Sequence, residues 1–67
     1  MRVGILGGGQ LGRMLALAGY PLGLRPTVLE PGEESSAGQV CPQVSGEFDD
    51  YRSLYELARA ADVVTFE

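Results

Sequence analysis

The stretch GILGGGQLGRML at residues 4–15 restricts the fold more than any other part of the chain. An apolar run through Val3, Ile5 and Leu6 breaks into Gly7, Gly8 and Gly9 and then resumes with apolar residues at helical spacing. Glycine takes backbone angles closed to other residues and lets a second backbone or a ligand come close. A strand, a tight turn and a helix in immediate succession are therefore expected, with strand one over Arg2 to Leu6. Helix one starts at Gln10 and ends near Tyr20, where Gly19 and Pro21 interrupt it. Leu11, Met14, Leu15 and Ala18 recur at three- and four-residue spacing and give one apolar face, which such a helix turns toward a core.

The remaining segments repeat the alternation. Pro26 suits the entry to a second strand, Thr27 to Glu30, where a missing amide costs no ladder bond. The following PGEESSAGQ is rich in glycine, serine and charge and reads as an exposed loop. Val40 to Val44 offers a short edge strand, with Pro42 against it. Asp49 or Asp50 can cap a second helix by accepting a free amide and facing the positive helix end. Along that helix Tyr51, Leu54, Leu57, Ala58 and Ala61 share a face, with Tyr51 and Tyr55 expected to pack and leave their hydroxyls wet. The closing ADVVTFE has the β-branched and aromatic character of a buried strand.

The order β-α-β-(β)-α-β argues for an α/β fold with a parallel sheet, flanking helices and right-handed crossovers. At 67 residues the chain has about half the length of a doubly wound nucleotide-binding domain. With a last strand that no turn or cap follows, it reads as an incomplete, Rossmann-like piece of a larger domain. So small a core sets burial close to chain entropy, and the piece alone is expected to be unstable.

Composition then removes whole classes of function. Hydrophobic residues make up 45% and charged residues 21%, which is enough apolar material to fold. The net charge is −4 and the five basic residues, Arg2, Arg13, Arg25, Arg52 and Arg59, form no stripe, so nucleic acid is not an expected partner. No segment reaches the roughly 20 apolar residues that span a bilayer, and no signal-peptide layout is seen, so a cytoplasmic protein with no membrane partner is expected. The single Cys41, with no histidine in the chain, is expected to be a small packing residue, and no metal site is expected in this segment.

Ligands of parallel sheets bind at the carboxyl ends of the strands. Three features fall there: the glycine turn, Glu30 and Glu67. The spacing Gly7-x-Gly9-x-x-Gly12 satisfies the dinucleotide fingerprint in its required place between strand and helix, and Glu30, 18 residues past Gly12, stands near the position of the acid that takes a ribose hydroxyl. Amides at the helix start would point at an anion, helped by the helix dipole. Three readings stay open on the residues alone: a nicotinamide or flavin dinucleotide site, a site for the phosphate of another small molecule, and glycines that serve packing only. Gln10 places its side-chain amide beside whatever the turn binds. Arg13, one turn in, could reach a phosphate or lie along the helix in solvent.

GILGGGQLGRMLALAG, then VLEP, then FDDYRSLYELARAADVVTFE resemble the N-terminus of the N5-carboxyaminoimidazole ribonucleotide synthetases, the ATPase subunits of phosphoribosylaminoimidazole carboxylase in purine biosynthesis. These are ligases of the ATP-grasp superfamily. The resemblance covers nearly the whole chain and implies a Rossmann-like pre-ATP-grasp segment over 1–67, with the ATP-grasp and C-terminal domains outside it. It implies an enzyme in which ATP and bicarbonate give carboxyphosphate and the amine of 5-aminoimidazole ribonucleotide captures the carboxyl group. ATP and Mg²⁺ would be bound by the other domains, no catalytic residue would lie in this segment, and the full-length protein would be a homodimer. Gly8, Gly9, Gln10 and Leu11 would hold the ribonucleotide 5′-phosphate, and Glu67 would lie close to its ribose or base. Between Gly38 and Glu47 the chain departs from the family pattern, so no role is assigned to residues 33 to 47. The alternative reading is the dinucleotide-binding half of an NAD- or FAD-dependent oxidoreductase.

Overall fold

The computed structural model describes residues 1–66. Its elements are β1 (Arg2–Leu6), α1 (Gln10–Gly19), β2 (Arg25–Glu30), β3 (Gln43–Ser45), α2 (Tyr51–Arg59) and β4 (Val63–Phe66). Single turns of 3-10 helix at Tyr20–Leu22 and Ala37–Gln39 join them. The strands lie in the order β3-β2-β1-β4 and every pairing is parallel, so the expected α/β sheet is present.

Strand residues alternate between two helical layers, as a period of two requires. Val3 and Ile5 border a small apolar cavity with Leu15 and Gly19 of α1. Gly4, between them, lies against Leu57 and Ala61 on the α2 side. Beneath α1, Ile5, Ala16, Val28, Ala37 and Cys41 form one buried cluster. On the other face Leu29 and Leu57 are both fully enclosed.

The expected contact face of α1 is corrected by this packing. Leu11, Met14, Leu15 and Ala18 are exposed, whereas Gly12, Ala16 and Gly19 are the buried positions. The small residues win because they let the helix approach closely: a Cβ on Gly19 would stand 3.3 Å from the Leu24 Cβ. Nearly every residue from Leu11 to Ala18 is apolar, so the sequence offers several equivalent stripes and geometry selects one.

Three boundaries also differ. β2 starts at Arg25, two residues early, because β3 pairs only with Val28, Leu29 and Glu30 and asks no donor of Pro26 on that side. β3 starts late, at Gln43, since the Val40 and Cys41 amides both turn back to the Ala37 carbonyl, at 3.0 and 3.1 Å. Within the loop expected to be exposed, Ala37 is fully buried.

α2 begins as expected, with Asp50 as its cap. Its Oδ2 accepts from the Ser53 amide at 3.0 Å and from the Ser53 hydroxyl at 2.6 Å. The face of this helix is narrower than expected. Ser53 and Leu57 are buried while Ala58 is exposed, and Tyr51 and Tyr55 stand in solvent rather than packing, Tyr51 at 83% exposure. The last strand is likewise corrected from buried to exposed. Among the described residues β4 pairs with β1 alone, and all four of its residues are exposed, Phe66 at 74%.

Candidate functional site

The register of the sheet brings two of the features singled out at the strand ends, the glycine turn and Glu30, to one level. Leu6 stands opposite both Leu29 and Phe66, so the glycine turn follows β1 at the level where Glu30 closes β2. Glu67 would come next after β4, but it lies outside the described residues.

Gly7 has φ of 119°, a left-handed value that glycine alone adopts without strain, and its amide donates to the Leu29 carbonyl at 2.8 Å. Gly8 is buried, and both its backbone groups are engaged. Its amide donates to Glu30 Oε1 at 2.8 Å, and its carbonyl accepts from the Ala37 amide at 2.8 Å. Both the donor and the acceptor of the Gly8 backbone are thus spent within the fold.

Gly9 caps α1 in extended conformation and offers no side-chain hydrogen bond to the helix start. No acidic residue occupies the first turn. The leading amides of any α-helix lack intrahelical partners. Those of Gly9, Gln10 and Leu11 sit at the positive end of the helix dipole, where the Gly9 cap brings no side chain of its own, an arrangement that suits an anion. Gln10 and Leu11, the first two helical residues, are both exposed at this edge.

A strap from the 36–39 region holds the same turn from the side. Arg13 Nη1 donates to the Ser36 carbonyl at 3.2 Å and to Gln39 Oε1 at 2.6 Å. The Ser36 hydroxyl donates to Gln10 Oε1 at 3.0 Å. Arg13 thus ties helix to loop instead of reaching forward, which answers the question its position raised. Ser36, Ala37 and Gln39 had no local signal of involvement, because their partners Gly8, Gln10 and Arg13 lie on the far side of β2 in sequence.

Cys41 is buried as expected, its Sγ donating to the Ala37 carbonyl at 3.4 Å, and burial pushes its thiol pKa up. Among the described residues no group of histidine, cysteine, aspartate and glutamate is placed to hold a metal ion. Among them, too, no helix is long and apolar enough to cross a membrane.

Comparison with known proteins adds the family. The model for the ribonucleotide synthetase preATP-grasp domain matches residues 1–67. The N5-carboxyaminoimidazole ribonucleotide synthase of Pseudomonas aeruginosa is 45% identical over 67 residues, covering 100% of this chain and 19% of that protein. The crystal structure of N5-carboxyaminoimidazole ribonucleotide synthetase from Thermus thermophilus superposes with a TM-score of 0.92 at 58% identity, over 97% of this chain and 18% of that one. The Aspergillus clavatus enzyme in complex with ADP and 5-aminoimidazole ribonucleotide superposes with a TM-score of 0.86 at 40% identity, over 98% of this chain and 18% of its own. The chain therefore spans about a fifth of the length of the relatives it matches.

Proposed function

The chain belongs to the ribonucleotide synthetase preATP-grasp domain family, and from that premise we propose that its glycine turn grips the 5′-phosphate of 5-aminoimidazole ribonucleotide. The observation that carries the reading is the start of α1, a helix N-terminus whose Gly9 cap brings no side chain and whose first turn holds no acid. The backbone amides of Gly9, Gln10 and Leu11 supply the donors, Gly8 supplies the shape, and the family resemblance assigns Glu67 to the ribose or base. A phosphate dianion gains there from several charge-assisted hydrogen bonds together with the dipole.

The whole protein is proposed to carboxylate that ribonucleotide with bicarbonate at the expense of ATP, as a cytoplasmic homodimeric ligase of purine biosynthesis. The P. aeruginosa relative is a synthase named for the carboxylated ribonucleotide. The A. clavatus relative holds both ADP and 5-aminoimidazole ribonucleotide. In this reading ATP and Mg²⁺ are held by the other domains, and the role of this segment is to bind and orient the acceptor. The oxidoreductase reading loses its support. Its ribose-binding acid would be Glu30, which spends one oxygen on the Gly8 amide, and the family match names a synthetase.

The test is phosphate release from ATP and bicarbonate by the full-length protein, with and without 5-aminoimidazole ribonucleotide. Release that ignores the ribonucleotide would sink the proposal. Replacing Gly9 by valine should raise KM for the ribonucleotide far more than KM for ATP, and equal effects on both would make the turn structural only.

A further inference from the structure

Glu30 and Gly8 are fitted to each other. A Cβ on Gly8 would stand 2.9 Å from the Glu30 Cβ and 2.9 Å from the Ser35 Oγ, so glycine leaves room for the stem of the side chain whose carboxylate accepts its amide at 2.8 Å. The Gly7 amide is fixed on β2 through Leu29, and the Gly8 carbonyl on Ala37. Peptide units are planar and rotate only at φ and ψ, so holding the unit before Gly8 and the unit after it sets the direction of the amides that follow.

We propose that Glu30 is a positioning residue of the anion site: by taking the Gly8 amide it aims the Gly9, Gln10 and Leu11 amides at the phosphate without touching the substrate itself. This rests on the phosphate-binding reading above. It has a consequence that a simple charge effect would reverse. A carboxylate beside a phosphate repels it, so on charge alone any neutral replacement of Glu30 would tighten binding. As a positioning acceptor, Glu30 matters through its oxygen, and a neutral residue that keeps the oxygen should serve where one that lacks it should not.

The experiment measures KM for 5-aminoimidazole ribonucleotide and for ATP, with thermal midpoints, in the full-length protein carrying Glu30→Ala or Glu30→Gln. Glu30→Ala should raise the ribonucleotide KM about tenfold or more, since it removes a hydrogen bond to a charged group from the frame of the site. Its KM for ATP should stay within about twofold, and Glu30→Gln should restore the ribonucleotide KM to within about threefold of wild type. An alanine variant that binds the ribonucleotide as well as or better than wild type overturns the proposal, as does equal impairment of both variants or a parallel rise in both KM values. If Glu30→Ala does not fold, Glu30→Asp takes its place: it keeps the charge, shortens the reach by one methylene and should raise the ribonucleotide KM, and an unchanged value is the overturning result. Ribonucleotide-independent phosphate release by the wild-type protein overturns the underlying reading as well, whereas dependent release with an unaltered KM in Glu30→Ala overturns this proposal alone.

Discussion

Gly4 of β1 and Leu57 of α2 meet so closely that a Cβ added to Gly4 would stand 3.1 Å from the Leu57 Cγ. Leu57 is 1% exposed, and this contact seats α2 on the sheet opposite α1. Truncating Leu57 to alanine removes a fully buried side chain and leaves a cavity, for an expected loss of about 2–5 kcal/mol. Gly4→Val should cost about 1–3 kcal/mol through overpacking at the same contact. Urea unfolding of the full-length protein measures both, and a midpoint unmoved by either substitution would contradict this packing.

The parts of this fold that were legible in the sequence are those decided over a few residues. The glycine turn joins two regular elements wherever it occurs, and Asp50 precedes a helix and takes a nearby amide. The illegible parts depend on partners far along the chain. Whether Leu15 or Ala16 faces the sheet depends on how near α1 can come, and both stripes are apolar. Whether β4 is enclosed depends on what packs beside it, which Val63, Val64 and Phe66 do not encode. Glu30 was found at the right strand end, but its partner, 22 residues back at Gly8, was not foreseeable from spacing that suits a ribose hydroxyl equally well. Arg13 shows the same limit, since its acceptors lie on a loop whose composition looked merely solvated.

Acid should weaken the fold through two aspartates. The Ser53 hydroxyl and amide hold the Asp50 carboxyl below the ordinary value of 3.8. The Arg2 amide, at 2.8 Å, and then its guanidinium, at 3.1 Å, do the same for Asp62. A carboxyl whose pKa is lowered on folding adds stability that is complete above its unfolded value and fades as pH falls through the folded one. Asp50→Ala should therefore lower the thermal midpoint at about pH 7, and its difference from wild type should shrink as the pH is brought below about 4. A difference that stays constant over that range would show that the carboxylate charge contributes nothing.

Cys41 should resist thiol reagents in the folded protein. It is 8% exposed and burial raises its pKa, so both access and thiolate are scarce. Labelling with an uncharged maleimide followed by mass spectrometry of the Cys41 peptide should show slow modification in buffer and rapid modification in denaturant. Equal rates in the two conditions would place the thiol at the surface.

The 67-residue chain on its own should not melt cooperatively. Among the described residues the buried apolar side chains are Ile5, Ala16, Val28, Leu29, Ala37, Cys41 and Leu57, of which three are alanine or cysteine. Met14, Leu22, Val63, Val64 and Phe66 remain exposed. Burial contributes roughly 25 cal/mol per Å² of apolar surface, against about 1.5 kcal/mol of conformational entropy for each ordered residue, and a core this small leaves the balance near zero. Calorimetry of the purified segment should give a broad, weak transition, with dye binding that reports exposed apolar surface. A sharp two-state transition, concentration-independent and without dye binding, would show that the four-stranded sheet is self-sufficient.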